Sequence, residues 1–179
     1  MIDFWRELDT GPNPPMEVYA VVETPKGNEN KYEYDVAKRA IVLDRVSYSA
    51  MHYPGDYGFI PRTLDEDGDP LDVLVLVTNP TFPGCVLRVR PIGLLRMLDA
   101  QMRDDKILAV PTDDIRYAKV GSLADVPEHI LKEIAHLFET YKVLEGKTTR
   151  ILGWSNADEA KATVRRSQEL YAQRIAELQ

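Results

Sequence analysis

The sequence predicts an α+β fold in which β-structure dominates and two helices close the chain. Three observations predict it. Between residues 18 and 110, β-branched and leucine-rich runs alternate with short turn-rich stretches. After residue 127, apolar residues recur at spacings of three and four, the period of a helix packed on one side. Acidic residues fall repeatedly at strand ends, an arrangement that a closed antiparallel sheet gathers at one mouth.

The elements follow in order. Val18 to Val22 forms the first strand and ends in Glu23, before a Pro25-Lys26-Gly27 turn. Lys31, Glu33 and Asp35 alternate with Tyr32, Tyr34 and Val36, and after a turn at Ala37 to Arg39 the strand Ile41 to Val46 returns as a hairpin. Arg45 shares parity with Ile41 and Leu43, and a charge on an apolar strand face calls for an anion inside. Met51 to Pro61, rich in aromatics, proline and glycine, predicts an ordered loop. Leu71 to Val77, Val86 to Leu98 and Lys106 to Val110 bring the total to about five strands.

The first helix is predicted from Pro127 to Glu145, with Gly146 as its stop. Ile130, Ile134, Leu137, Phe138, Tyr141 and Leu144 form its apolar stripe. The second starts at Asn156, with Glu159 three residues on as a capping box, and carries Ala157, Ala160, Val164, Tyr171, Ile175 and Leu178 on one side. Lys161, Arg165, Arg166 and Glu169 are assigned to its solvated face.

Composition narrows the function. At 179 residues the chain predicts one domain, 1–179, with one sizeable core. A net charge of −7 and a pI near 5.0 argue against nucleic acid or an anionic membrane as partner. The one cysteine, Cys85, excludes an intrachain disulfide and a cysteine-based zinc cage, and fits a reducing cytosol. The opening MIDFWRELDT has no apolar core, so no secretory signal is expected. The longest charge-free stretch, Val73 to Leu87, is too short for a membrane span and is broken by Pro80 and Pro83.

The informative run is Asp67-Gly68-Asp69-Pro70-Leu71-Asp72, three carboxylates leading into an apolar strand. Asp72 opens a strand buried on both faces, so its charge needs protonation, a basic partner or a metal ion. Gly68 and Pro70 supply the turn that lets Asp67, Asp69 and Asp72 converge. A surface turn carries the same residues, and an EF-hand fails because Pro70 and Leu76 stand where that loop needs glycine and glutamate. Glu23, Glu33, Asp99 and Asp104 occupy further strand ends, with Lys31, Arg45, Lys106 and Lys142 in the same junctions. Oxygen-only ligands select Mg2+, Mn2+ or Ca2+ over zinc. His129 and His136 lie in no metal-binding pattern and are assigned to packing or an interface. Gly146-Lys147-Thr148-Thr149 fails as a phosphate-binding loop, because Tyr141 stands at its first glycine.

Asp67 to Val73 resembles the signature of family I soluble inorganic pyrophosphatases. Asn30-Lys31-Tyr32-Glu33, Leu43-Asp44-Arg45, Tyr53-Pro54 with Tyr57-Gly58, Arg96 to Asp99, Asp104-Asp105-Lys106 and Thr140-Tyr141-Lys142 recur in family order, covering roughly Val18 to Trp154. The compact length resembles the prokaryotic type. The resemblance implies an OB-like five-stranded antiparallel β-barrel with two flanking α-helices. It also implies Mg2+-dependent hydrolysis of diphosphate to two orthophosphates, using several metal ions, with Mn2+ or another divalent ion as substitute. A cytoplasmic homohexamer goes with it.

The resemblance further implies roles. Asp67, Asp72 and Asp104 hold a metal pair that activates the attacking water, and Asp69 is its general base. Asp99, with Asp104, binds a metal arriving with substrate, while Glu23 and Glu33 act through metal-bound waters. Lys31, Arg45, Tyr57, Lys106, Tyr141 and Lys142 grip phosphate, with Tyr53 close to the metals. Asp69, Tyr57, Lys31 and Arg45 form the catalytic set. Ala100 to Arg103 departs from the acid and glycines common after the Asp99 position. Three rival readings remain at this point: a single-strand-binding barrel, a passive Ca2+ domain and a nucleotide phosphohydrolase.

Overall fold

A computed structural model describes residues 2–177. Leu178 and the extreme ends of the 1–179 span lie outside the described residues. Within them the order is β1 (Val18–Thr24), β2 (Asn30–Asp35), β3 (Ala40–Val46), β4 (Asp56–Phe59), β5 (Asp72–Val75), β6 (Val86–Asp99), β7 (Met102–Arg103), β8 (Lys106–Pro111), α1 (Glu128–Thr140), β9 (Thr149–Ser155) and α2 (Ala157–Glu177).

Five of these strands close on themselves. β1 pairs with β4 and β6, β4 with β5, β5 with β8, and β8 with β6, completing an OB-like ring. The β5–β8 pair is parallel, where an all-antiparallel barrel was expected. The long β6 lies between them in sequence and crosses the ring, so β8 enters in the direction of β5. The distal half of β6 also carries β7 and β9, while β2 and β3 form a separate hairpin.

Alternation along β5 divides the core. Val73 and Val75 join Ile107, Ala109 and α2's Ala160 and Val164, whereas Leu74 joins Leu108 and α1's Ile134, Leu137 and Phe138. Both faces of the strand are buried, as its unbroken apolar run predicts.

Several elements differ from the sequence reading. The expected loop at 51–61 contains β4, a central strand of the ring. Gly58 permits it: a Cβ there would meet the Val21 carbonyl oxygen at 1.9 Å. β9 was missed because its outward residues alternate to an exposed side, Arg150 and Leu152, with no turn signal after Gly146-Lys147. α1 ends at Thr140, and a 3₁₀ turn at Val143–Glu145 follows before Gly146 turns the chain at φ 72°. Leu144 is consequently exposed and leaves the stripe. Asn156 caps α2 by accepting Asp158 N and Glu159 N, while Glu159 turns to Arg96 instead of closing a box. Of the expected solvated face, Arg165 and Glu169 are exposed, but Arg166 buries its Nε and Nη2. His129 and His136 are both exposed on α1, where His129 Nε2 lies 3.3 Å from Glu133 Oε1.

Candidate active site

Residues of the ring strands and of the separate β2–β3 hairpin meet at one cleft. β1 contributes Glu23, β2 Lys31 and Glu33, β4 Tyr57, the loop before β5 Asp67 and Asp69, β5 Asp72, β6 Asp99, the turn into β8 Asp104, and β8 its first residue, Lys106. Tyr141 and Lys142 arrive from the end of α1. Together with Tyr53 they line a cleft of about 290 Å³. Twelve of the thirteen residues singled out above therefore share one cavity.

Arg45 is the thirteenth, and it lies beside the cleft. It lines a small adjoining crevice with Lys31, Tyr53, Tyr141 and Glu145. The parity expected of β3 breaks in the pairing, because Lys31 opposes Arg45 while the next residue, Tyr32, opposes Leu43. Asp44 is the extra residue of that bulge. Leu43 is consequently 54% exposed while Arg45 turns inward, and its partner is an anion as expected. Arg45 Nε donates to Glu145 Oε1 at 2.8 Å, and the guanidinium also pairs with Asp44.

The cleft is crowded with charge: seven carboxylates face three ammonium groups. Lys106, only 3% exposed, bonds both Asp72 and Asp104. Lys142 pairs with Asp99, and Lys31 with Glu33. Burial alone would make Lys106 easier to deprotonate, but Asp72 and Asp104 outweigh it and hold the ammonium above its ordinary pKa. Burial pushes the Glu23 carboxyl up to about 8, despite the Tyr34 backbone N–H donated to it at 2.7 Å. Asp69 is raised first by partial burial, then by Asp67, Asp72 and Glu33. Asp104 is likewise raised, mainly by burial.

Tyr53, Tyr57 and Tyr141 add aromatic rings to the cleft lining, backed by the buried Phe138. Tyr53 stacks on Tyr57 with centroids 5.0 Å apart, and Phe138 packs against Tyr57 at 5.9 Å and edge-on to Tyr141 at 5.6 Å. Burial raises all three phenols, so each hydroxyl keeps its proton and remains a donor.

The loop that carries Asp67 and Asp69 is shaped by its own hydrogen bonds. Asp65 N donates to Asp69 O at 2.8 Å, Gly68 N to Asp65 O at 3.1 Å, and Asp69 N to Asp67 Oδ1 at 3.0 Å. This closes a tight turn that holds Asp67 and Asp69 over the start of β5. Among the described residues no three carboxylate or histidine groups are drawn together as a ready metal cage. Lysine ammoniums stand between them instead. The donor set nevertheless suits a hard divalent cation, since it is all oxygen, its carboxyl groups outnumber the ammoniums, and it holds Glu23 at a pKa that such a cation would lower.

Two contributors escaped the sequence reading. Glu145 was placed within a helix, yet its side chain is 8% exposed and grips Arg45 and, at 3.5 Å, Lys147. Asp44 pairs with Lys31 at 3.6 Å and with Arg45. The one signal available was the Arg45 requirement for an anion, which named no partner.

The family model for inorganic pyrophosphatase matches residues 20–172. An inorganic pyrophosphatase of Haloferax volcanii is 50% identical over 177 residues, covering 98% of this chain and all of the relative. One from a Nostoc species is 54% identical over 157 residues, covering 88% and 93%. The crystal structure of inorganic pyrophosphatase from Thermus thermophilus superposes with a TM-score of 0.92 at 46% identity, covering 96% of this chain and 99% of that one.

Proposed function

The chain belongs to the inorganic pyrophosphatase family, and on that footing we propose that it is an Mg2+-dependent inorganic diphosphatase. It hydrolyses diphosphate to two orthophosphates by direct attack of water. The observation that carries this reading is the cleft itself, where a surplus of carboxylates meets lysine ammoniums and protonated phenols.

Asp67, Asp72, Asp99 and Asp104 would hold the metal ions, with Glu23 and Glu33 acting at one remove. Mg2+, when bound, supplies a Lewis acid that neutralises phosphate oxygen charge and makes water acidic, and Mn2+ or another divalent ion substitutes for it. Asp69 takes a proton from the attacking water at its carboxylate, and its raised pKa makes it a stronger base than an ordinary aspartate. Lys31, Lys106 and Lys142 place positive charge on the phosphates, as does Arg45 from the adjoining crevice. The Tyr57 and Tyr141 hydroxyls donate hydrogen bonds to phosphate oxygens, which a phosphoryl transfer needs for positioning more than for covalent chemistry. No side chain need become phosphorylated.

The test is orthophosphate release from diphosphate with Mg2+, comparing the wild type with Asp69→Asn and Asp72→Ala. Losing a general base costs roughly 10²- to 10⁴-fold, so Asp69→Asn is expected to fall in that range while remaining folded. Full activity in both variants would remove the assignment. The reading carries with it a cytoplasmic homohexamer with no nucleic-acid or membrane partner. No described helix is long and apolar enough to cross a membrane. Light scattering should give about six times the 20.3 kDa chain mass.

A further inference from the structure

The β2–β3 hairpin carries Lys31 and Glu33 into the cleft and Arg45 into the crevice beside it, yet among the described residues no strand ladder joins it to the ring. Side chains hold it to β1 instead: Tyr34 N donates to Glu23 Oε1 at 2.7 Å, and Tyr32 N to Thr24 Oγ1 at 3.0 Å. A two-stranded hairpin is marginal unless something packs on it. Here the segment before β1 does so.

Asp3 is the centre of that contact, 31 residues before Tyr34 and only 1% exposed. Its Oδ1 accepts the Tyr34 hydroxyl at 3.2 Å, together with Trp5 N at 3.1 Å and Arg6 N at 3.2 Å. Its Oδ2 makes no hydrogen bond among the described residues but lies 3.7 Å from Arg6 Nη1 and 4.0 Å from Arg39 Nε. A carboxylate this far from water requires such partners. Arg39 belongs to the hairpin turn, where it holds a left-handed φ of 52°, and its Nη1 also reaches Glu7 Oε1 at 3.5 Å. The segment therefore grips the hairpin at a strand and at its turn.

Tyr34 links this grip to the cleft, which it also lines. Its hydroxyl accepts Phe4 N at 3.2 Å, and its ring packs edge-on to Phe4 and stacks on Phe59, each at 5.6 Å. The hydroxyl end is thus fixed by Asp3 and the backbone end holds Glu23. We propose that Asp3 is a positioning residue for substrate binding, clamping the β2–β3 hairpin through Tyr34 and Arg39 so that Lys31, Glu33 and Glu23 are held in place around diphosphate. This rests on the reading of the cleft as the diphosphate site. Asp3 lines no part of that cleft, so it acts on the geometry of binding and not on proton transfer at Asp69.

The test reads substrate affinity and local opening separately. Asp3→Ala and Tyr34→Phe are each expected to raise KM for diphosphate about fivefold at saturating Mg2+, with kcat held within about twofold. That lies below the roughly 10- to 100-fold typical of a group directly behind a metal ligand, since Asp3 stands one step further back. Amide hydrogen exchange without metal or diphosphate should show the Tyr32 and Tyr34 N–H groups about tenfold faster in both variants, while the amides of β5 and β8 keep wild-type rates. Val164→Ala thins the packing between α2 and the ring, and as the control for a merely structural loss it leaves KM at the wild-type value. Tyr34→Phe keeps both ring contacts and carries the test should Asp3→Ala not fold. The double variant should lose no more than Asp3→Ala alone, because the two side chains share one bond. A wild-type KM in the two variants, an equal rise in Val164→Ala, ring amides that accelerate together with the hairpin, or additive losses in the double variant overturns the proposal. A wild type that leaves diphosphate intact removes the functional reading instead, and the exchange rates still decide whether Asp3 holds the hairpin.

Discussion

Arg45 and Glu145, one hundred residues apart in the chain, are joined by a 2.8 Å bond from Nε to Oε1. The contact ties the β2–β3 hairpin to the 3₁₀ turn that follows α1, and it fixes a guanidinium beside the cleft whose ammoniums are occupied by carboxylates. Glu145→Gln keeps an acceptor but removes the charge, so Arg45 should wander between Asp44 and solvent. A charge-assisted hydrogen bond contributes about 1.5 to 3 kcal/mol, and solvent access at Arg45 reduces this to roughly 1 kcal/mol. The expected outcome is a rise of about fivefold in KM for diphosphate with a smaller change in kcat. Steady-state kinetics check it, and an unchanged KM would mean that Arg45 reaches substrate without this anchor.

The turn between β6 and β7 is strained. Asp99 pairs with Met102, leaving Ala100 and Gln101 as a two-residue hairpin loop, and both have left-handed φ values of 46° and 76°. Asn-Gly satisfies such a loop, whereas a side chain like alanine is disfavoured there by about 1 kcal/mol. Ala100→Asn combined with Gln101→Gly should raise unfolding free energy by about 1 kcal/mol, part of the relief being offset by the freer unfolded chain. Guanidinium unfolding with an unchanged m-value would verify it. A loss of stability would show that these two side chains make contacts outweighing their backbone strain.

Much of the molecule could be read from residue order, and the failures share a cause. Leu71 to Val77 announced a doubly buried strand because nothing polar interrupts it, and Asp72 could be assigned a partner because a carboxylate at that place requires one. β4 stayed hidden because its Tyr57-Gly58 core carries the same residues as a loop, and the need for Gly58 arises only when Val21 packs against it. Arg45 was correctly turned inward, yet by a parity that the Asp44 bulge breaks; the right direction came from the wrong register. Glu145 and Arg166 are chosen by tertiary neighbours alone. Local pattern cannot distinguish a buried ion on a helix from a solvated one.

Glu23 supplies a pH dependence. Burial lifts its carboxyl to about 8 from an ordinary value of 4.5, so the folded state holds this proton more tightly than the unfolded state. Its contribution to stability is complete below pH 4.5 and is lost as pH rises through 8. Glu23→Gln mimics the protonated form and removes that loss. In EDTA, the variant should gain on the wild type as pH rises from about 5 to 9, with an upper bound of about 5 kcal/mol. Thermal unfolding at each pH measures the gap. A gap that stays constant across the range would place an ionised Glu23 in the folded protein throughout.

Lys106 stands in for positive charge at the centre of the acidic cluster. It is almost fully buried, and both Asp72 and Asp104 depend on it. Breaking a buried pair from one side leaves its partners uncompensated at about 3 to 5 kcal/mol, and their residual solvent access favours the lower figure. Lys106→Met should therefore lower the unfolding temperature in EDTA by roughly 10 °C, at about 2 to 4 °C per kcal/mol for a domain of this size. Mg2+ supplies the missing charge if these carboxylates are its ligands, because a cation that binds only the folded state stabilises it by mass action. The rise in unfolding temperature on adding Mg2+ should then be larger in Lys106→Met than in the wild type. An equal or smaller rise would mean that the ion binds away from Asp72 and Asp104, and the assignment of those two residues would fail with it.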